Sequence, residues 1–403
     1  MTTRPYRALL LEGIHPGARD ALAAEGLEVT LLPSSPPKAE LLELVKTVDV
    51  LGIRSKTQIT AEVLAAAPDL LTIGCFCIGT NQVDLDVANK RGVPVFNAPL
   101  SNTRSVAELM IAEIIVLSRQ LGDRSREVHE GIWNKNAKGC HEIRGKNLGI
   151  IGYGHIGRQV GVLAEAMGMR VTFYDVASRL PMGNNRPAHD MDQLLSESDF
   201  VTLHVPETRE TKNMIGAAQI ARMRKGAYLL NASRGTVVVI EELASALRSG
   251  HLAGAAVDVY PEEPEANGNG FESELRGLPN VILSPHIGGS TMEAQEAIGK
   301  EVSTSLAKFV SRGVTTSAVN FPEVERPLVA GKHRILNVHR NVPGVLRDIN
   351  RIVSDSHANI HAQVLATDQH IGYLVMDLDQ DVSEEVCAKV GQLETSLRTR
   401  ILT

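Results

Sequence analysis

Residues 147–175 read NLGIIGYGHIGRQVGVLAEAMGMRVTFYD. Residues 148–151 form a short apolar run of the length of a buried strand. Gly152, Gly154 and Gly157 follow in the spacing GxGxxG. Ile156, Val160, Leu163, Ala164 and Met167 then recur at helical spacing, and Gly168 stands where a helix takes a C-terminal glycine. Residues 170–174 are a second strand-like run, ended by Asp175. Each part has a task in holding a dinucleotide. Gly152 permits the tight turn out of the strand, Gly154 lets a pyrophosphate approach bare backbone, and Gly157 lets the helix pack on the strand. The N–H groups of the helix's first turn, aided by its dipole, hold the phosphates. Asp175 lies eighteen residues beyond Gly157, near the spacing at which an acid binds ribose hydroxyls and repels a 2′-phosphate. The expected cofactor is therefore NAD, with Arg179 the one nearby cation speaking for NADP.

The totals set the scale around this unit. A chain of 403 residues is too long for one core and predicts two or three domains. A net charge of −6 with no basic block argues against nucleic acid as a partner. No apolar run reaches membrane-spanning length, and MTTRPYRALLLEGIH shows neither an h-region nor a cleavage site, so no membrane partner and a cytoplasmic location are expected. Four cysteines (75, 77, 140 and 387) are too sparse for a disulfide scaffold. Cys75 and Cys77 share a strand face, but no second cluster completes a metal site, so buried thiols and no metal are expected.

Upstream, strands at 7–11, 29–32, 50–53, 70–76 and 93–96 alternate with short helices, which predicts a parallel sheet covered on both faces. No glycine fingerprint follows the first strand, so this unit is not the nucleotide site. Arg54, Ser55 and Lys56 directly follow a strand, where open α/β sheets bind ligands; a plain solvated charge pair is the other reading. Residues 105–121 read as a long helix with Ser105 and Glu108 as a capping box. Trp133 is either core or an anchor at a subunit interface.

Downstream, strands at 199–205, 227–230, 253–258 and 281–284 continue the alternation. Three successive strand ends carry Arg234 in NASRG, Asp258 and Glu263 in DVYPEEP, and His286 in SPHIGGST. Beside a nicotinamide these side chains suit hydride transfer to or from a carbon bearing oxygen. His286 can take the hydroxyl proton, Glu263 can fix its tautomer, and Arg234 can clamp a carboxylate and polarise the neighbouring carbonyl. The expected substrate is thus a 2-hydroxy or 2-oxo acid. After a helix at 292–310, RGVTTSAVNFPEVERP reads as a polar linker. Residues 331–403 then give βαββαβ, the ferredoxin-like arrangement.

GYGHIGRQVG…YD, NASRGTVV, AAVDVYPEEP and SPHIGGSTMEAQ resemble the D-isomer-specific 2-hydroxyacid dehydrogenase family. GCFCIGTNQVDLDVANKRGVPVFNAPLSNTRSVAEL, together with the C-terminal unit, resembles its phosphoglycerate-oxidising branch of the bacterial type, with a short hinge and one terminal ACT domain. The resemblance implies two doubly wound parallel-sheet domains and a ferredoxin-like ACT domain. Their bounds would be 1–102 with 292–320 for substrate, 103–291 for NAD, 321–330 for the hinge and 331–403 for ACT. It implies NAD-dependent oxidation of 3-phospho-D-glycerate to 3-phosphohydroxypyruvate, the first step of L-serine synthesis, inhibited by L-serine, with reduction of 2-oxoglutarate as a second activity. Arg234 matches the substrate-binding arginine, Glu263 the acid that orients the histidine, and His286 the proton acceptor. Gly152, Gly154, His155, Ile156, Gly157, Asp175, Ala232, Ser233, Arg234, Asp258, His286, Ile287, Gly288 and Gly289 match cofactor positions. Arg54, with Ser55, Lys56 and Asn102, falls where the substrate's phosphate binds. His339, Asn341 and Asn359 match the L-serine positions. The family is commonly tetrameric, through nucleotide and ACT interfaces; whether Lys135 or Lys138 reaches a neighbouring subunit's site stays open. Glu262 beside Glu263, and Val239 where an acid is common, are mild departures. Two alternatives remain: a dehydrogenase acting on another acid such as glyoxylate or hydroxypyruvate, and a NAD-sensing corepressor-like protein. The presence of Arg234, Glu263 and His286 argues against the second.

Overall fold

A computed structural model describes residues 4–264 and 268–403. The first sheet contains β1 (Arg7–Leu10), β2 (Glu28–Leu31), β3 (Val50–Ile53), β4 (Thr72–Cys75) and β5 (Val95–Phe96) in the order β2-β1-β3-β4-β5, all parallel. The second contains β6 (Asn147–Ile151), β7 (Arg170–Tyr174), β8 (Arg186–Pro187), β9 (Phe200–Leu203), β10 (Ala227–Asn231), β11 (Leu252–Val257) and β12 (Val281–Leu283). Its order is β12-β11-β10-β9-β6-β7-β8, again parallel. The third is antiparallel: β13 (His333–Arg340), β14 (Ile360–Thr367), β15 (Ile371–Leu378) and β16 (Ser396–Leu402), in the order β14-β15-β13-β16. The expected fold class, two doubly wound sheets and a ferredoxin-like βαββαβ sheet, is what the chain forms.

The central strands of the two parallel sheets, β3, β4, β9 and β10, are buried along their length because both faces are covered. In β6, Leu148 and Ile150 enter one core with helix Thr103–Ser118, while Ile151 enters another with Val201, Leu203 and Leu229. In the first sheet Leu9, Leu51 and Ile73 face one layer of helices, and Leu10 and Val50 the other.

Two compact units result, Met1–Ser101 with Gln295–Thr403, and Asn102–Ala294. The third sheet belongs to the first of these. One of its faces packs Ile335, Leu374 and Met376 on helices Val345–Asp355 and Gln380–Gly391. Its other face, with Leu336, Val338, Tyr373 and Val375, shares a core with Phe96, Phe309, Val310, Phe321 and Val324.

The stretch read as a polar linker is therefore not a free one. Phe321 and Val324 are buried, Asn320 accepts the Val95 N–H at 2.8 Å, and Thr315 donates to the Pro322 carbonyl at 2.7 Å. Arg334, buried at 1% exposure, spends all five of its N–H groups. Two go to Asp377 at 2.7 and 2.9 Å, and three to the carbonyls of Arg312, Arg326 and Pro327 at 3.0, 2.9 and 2.7 Å. The long helix also differs from expectation. It begins at Thr103, Ser105 lies 2.8 Å from Thr291 and Glu108 pairs with Arg104, so no capping box forms. A left-handed Gln120 (φ 51°) ends it, and a further helix follows, Leu121–His129. Trp133 is 82% exposed, which removes the core reading.

Candidate active site

The second sheet reverses its winding between β6 and β9, and the loops after those strands part there to leave a ligand crevice. Gly152 follows β6 with φ +91°, and a Cβ on it would lie 2.3 Å from the His204 carbonyl oxygen just past β9. A Cβ on Gly157 would meet the Gly152 carbonyl at 2.2 Å, whereas nothing lies within 4 Å of one on Gly154. Two glycines thus close the turn and the third leaves it open. Helix His155–Ala166 starts here with His155 and Ile156, and no side chain caps it. Its first N–H groups are available to a diphosphate. Asp175, at the end of β7, accepts the N–H groups of Tyr153 at 2.8 Å and Ala177 at 2.9 Å. Arg179 approaches its carboxylate at 3.4 Å. These residues fit NAD: the cradle is one that Cβ atoms would fill.

The catalytic edge is built from the next strand ends. Asn231, buried at the end of β10, accepts the Ser233 N–H at 3.0 Å and the Ser233 hydroxyl at 2.8 Å. It also donates to the Arg234 carbonyl at 3.0 Å, so the turn Ala232-Ser233-Arg234 is fixed from within. A Cβ on Gly235 would lie 1.9 Å from the Tyr260 carbonyl carbon, so backbone packs on backbone between the Arg234 segment and the Glu263 segment. Glu263 accepts the Tyr260 N–H at 3.1 Å and meets His286 Nδ1 at 2.8 Å through one oxygen and 3.0 Å through the other. His286 is left-handed, φ +55°, an unusual conformation for a residue with a Cβ. Asp258 holds it there. The Asp258 carboxylate is 1% exposed and accepts the Ser284 hydroxyl at 2.6 Å and the N–H groups of Ile287 and Gly288, each at 2.8 Å.

The charges follow from this geometry. The bond to Glu263 raises the pKa of His286; burial opposes this, the carboxylates of Glu263 and Asp258 add to it, and Arg234 subtracts. Burial pushes Glu263 up, but its bond to His286, that ring's charge and the Tyr260 N–H together hold it below the usual carboxylate range. The guanidinium of Arg234 donates to the Ser233 carbonyl at 2.7 Å and has no ion-pair partner among the described residues. A dinucleotide cradle, a tethered imidazole and an available guanidinium on one sheet are the parts of a hydride-transfer site for a carboxylate-bearing alcohol.

Comparison with known proteins agrees. The family model "D-isomer specific 2-hydroxyacid dehydrogenase, NAD binding domain" matches residues 111–288, and an "AHAS small subunit-like ACT domain" matches 335–398. The D-3-phosphoglycerate dehydrogenase of Dictyostelium discoideum is 58% identical over 98% of this chain and 97% of its own length. That of Escherichia coli K12 is 50% identical over 98% and 97%. This chain belongs to the D-isomer-specific 2-hydroxyacid dehydrogenase family. Among solved structures, a D-lactate dehydrogenase from Aquifex aeolicus, complexed with NAD and lactic acid, aligns with TM-score 0.65 and 29% identity over 75% of this chain and 95% of that one. A D-isomer specific 2-hydroxyacid dehydrogenase from Lactobacillus delbrueckii ssp. bulgaricus, in its NAD complex, aligns with TM-score 0.69 and 26% identity over 78% and 100%. As a member of this family the protein is an NAD-dependent oxidoreductase, with NAD as its cofactor.

The remaining candidates lie on other elements. Arg54, Ser55 and Lys56 follow β3. Asn102 caps helix Thr103–Ser118 by position only, and its Oδ1 is buried without a partner. In the ACT domain His339 is buried near the end of β13, with Nδ1 2.9 Å from Asn337 Oδ1 and a ring so close to Gly372 that a Cβ there would lie 2.3 Å from Nε2. Burial lowers its pKa. Asn341 donates to the Asp368 carbonyl at 2.7 Å, and exposed Asn359 leads into edge strand β14. Cys75 is buried, Cys77 Sγ lies 3.2 Å from the Gly79 carbonyl oxygen, and no metal-binding cluster occurs among the described residues. No helix among them is long and apolar enough to cross a membrane.

Two polar groups near the site escape a reading by motif. His204, beside Gly152, is half-buried, its Nδ1 is buried without a hydrogen-bond partner, and burial pulls its pKa down to about 3. Glu113 is 4% exposed, and neither of its carboxylate oxygens has a hydrogen-bond partner. Burial, and secondarily the charge of Asp258, raise it to about 8. Its signal was an acid in the apolar stripe Val106, Met110, Leu117.

Proposed function

We propose that this enzyme oxidises 3-phospho-D-glycerate to 3-phosphohydroxypyruvate and so opens L-serine synthesis. The observation that carries the reading is the Glu263–His286 pair. With Nδ1 bound to Glu263, Nε2 of His286 is the nitrogen that takes the proton of the C2 hydroxyl. Arg234 binds the substrate carboxylate and polarises the C2–O bond. Gly154, His155, Ile156 and Asp175 would hold NAD, which when bound would supply the acceptor for the C2 hydride. His286 retains the hydroxyl proton as C2 becomes a ketone. Arg54 and Lys56, with Ser55 and Asn102, receive the phosphate, Arg54 as a planar fork and Lys56 as a point charge.

The ACT domain is an amino-acid sensor in this reading. L-serine binds at His339, Asn341 and Asn359 where two copies pair along β14, whose Ile360 and Leu365 are 36% and 37% exposed. The assembly is a tetramer, and the enzyme works in the cytoplasm. The test is NAD reduction with 3-phosphoglycerate at alkaline pH, with and without L-serine. Activity suppressed by serine is expected. Activity indifferent to serine removes the effector assignment. Absence of activity with NADH binding intact removes the substrate assignment and turns the assay to 2-oxoglutarate and hydroxypyruvate.

A further inference from the structure

The first sheet also has a topological switch point. In the order β2-β1-β3-β4-β5 the winding reverses between β1 and β3, so the loops after those two strands open a crevice. The loop after β3 is Arg54-Ser55-Lys56-Thr57, and the loop after β1 carries Glu12 and Gly13. The Glu12 carboxylate gathers three backbone N–H groups of the opposite loop. One oxygen accepts from Thr57 at 2.8 Å and Arg54 at 3.2 Å, and the other from Lys56 at 3.0 Å. The far side of the same turn is held by Gln82, which donates to the Arg54 carbonyl at 2.7 Å, and by Ser35, 2.8 Å from the Thr57 hydroxyl.

Two features separate this arrangement from an ordinary loop staple. Glu12 is itself left-handed, φ +63°, and the next residue, Gly13, is left-handed too, φ +61°. That conformation is unfavourable for a residue with a Cβ, so only the side chain's bonds recommend glutamate over glycine at this position. The second feature is charge. The carboxylate oxygens are committed to backbone N–H groups, while neither the Arg54 guanidinium nor the Lys56 ammonium has an ion-pair partner among the described residues. An acid thus shapes a cationic turn without neutralising its cations.

We propose that Glu12 is a positioning residue for the phosphate end of the substrate, fixing the backbone from which Arg54 and Lys56 reach that group. The inference rests on the reading of Arg54 and Lys56 given above. Its test is steady-state kinetics of the full-length enzyme, comparing 3-phosphohydroxypyruvate with hydroxypyruvate, the same 2-oxo acid without phosphate. Glu12→Gln is expected to raise KM for the phosphorylated substrate by about tenfold or more, with kcat changed far less and hydroxypyruvate kinetics unmoved. Glu12→Gly, which relieves the backbone but deletes the acceptor, is expected to show the same loss. Glu12→Asp keeps the charge, falls short by one methylene and is expected to lie between; it decides the matter if the Gln variant does not fold. Equal losses on both substrates, or a Gly variant as good as wild type, overturn the inference. Arg54→Ala separates the premise: if it leaves the preference for phosphate unchanged, the functional reading fails. If Arg54→Ala abolishes that preference and Glu12→Gln does not alter it, only the role of Glu12 fails.

Discussion

His286 and Glu263 titrate against each other. The pKa of His286 is raised, so its contribution to stability is complete below its unfolded value and is lost as pH rises through the folded one. Glu263 is depressed, so its contribution is present above its unfolded value and is lost as pH falls through the folded one. A base must be neutral to accept a proton, so oxidation is expected to quicken with rising pH as His286 deprotonates. Glu263→Gln removes the tether. Burial and Arg234 then pull the imidazole down, and the acid limb of kcat/KM for oxidation is expected to move to lower pH while the maximum falls by about tenfold or more. An unmoved limb would dissociate the pair. Glu113 obeys the opposite sign from Glu263. With a folded pKa of about 8 against an ordinary 4.5, it costs stability as pH rises between those values. Glu113→Gln should raise the melting temperature near pH 8 by an amount worth a few kcal/mol, at about 1.36 kcal/mol per pKa unit, and the gain should vanish near pH 4. The contact of Glu263 with His286 was legible because both residues follow strands that are neighbours in a parallel sheet. The roles of Glu12 and Glu113 were not. One depends on which strands flank the switch point, the other on which residue fills a helix's inner face, and neither is written at a fixed sequence offset.

Elements whose stabilisation is local were the ones misread. Ser105 and Glu108 have the spacing of a capping box, but the helix begins two residues earlier, at Thr103, and Ser105 turns to Thr291 instead. Helix Leu121–His129 has no buried residue, hence no apolar stripe to announce it. Ion pairs Arg124–Glu127 at 3.1 Å and Arg126–Asp123 at 2.9 Å accompany it. Around it Leu121, Val128, Ile132 and Trp133 are 53%, 56%, 51% and 82% exposed, a density of bare apolar side chains that supports the proposed assembly. Trp133→Ala is expected to shift sedimentation from the proposed tetramer toward smaller species, with NADH affinity retained. A tetramer of undiminished stability would remove Trp133 from the interface. The long periodic elements were legible for the converse reason: their pattern is enforced by cores on both faces of each sheet.

At the scale of the whole molecule, Arg334 and the stretch from Arg312 to Pro327 decide how the C-terminal domain is held. Removing one partner of a buried pair strands the other's charge, so Arg334→Met is expected to cost about 3–5 kcal/mol and to open 312–332 to proteases. Resistance equal to wild type in limited proteolysis would contradict this. Composition concealed the arrangement, because the segment's few apolar side chains follow no period and three of its carbonyls are satisfied by one arginine that lies beyond it. The shared face of the third sheet has a consequence for heredity and engineering alike. The ACT domain is not a cassette. Cutting the chain near residue 331 would bare Phe96, Phe309 and Phe321 together, and the expected product is a sticky protein, not an unregulated catalyst. A lineage that gains or sheds such a domain must therefore rewrite the seam beneath it, and a graft onto another dehydrogenase succeeds only if that seam travels with it.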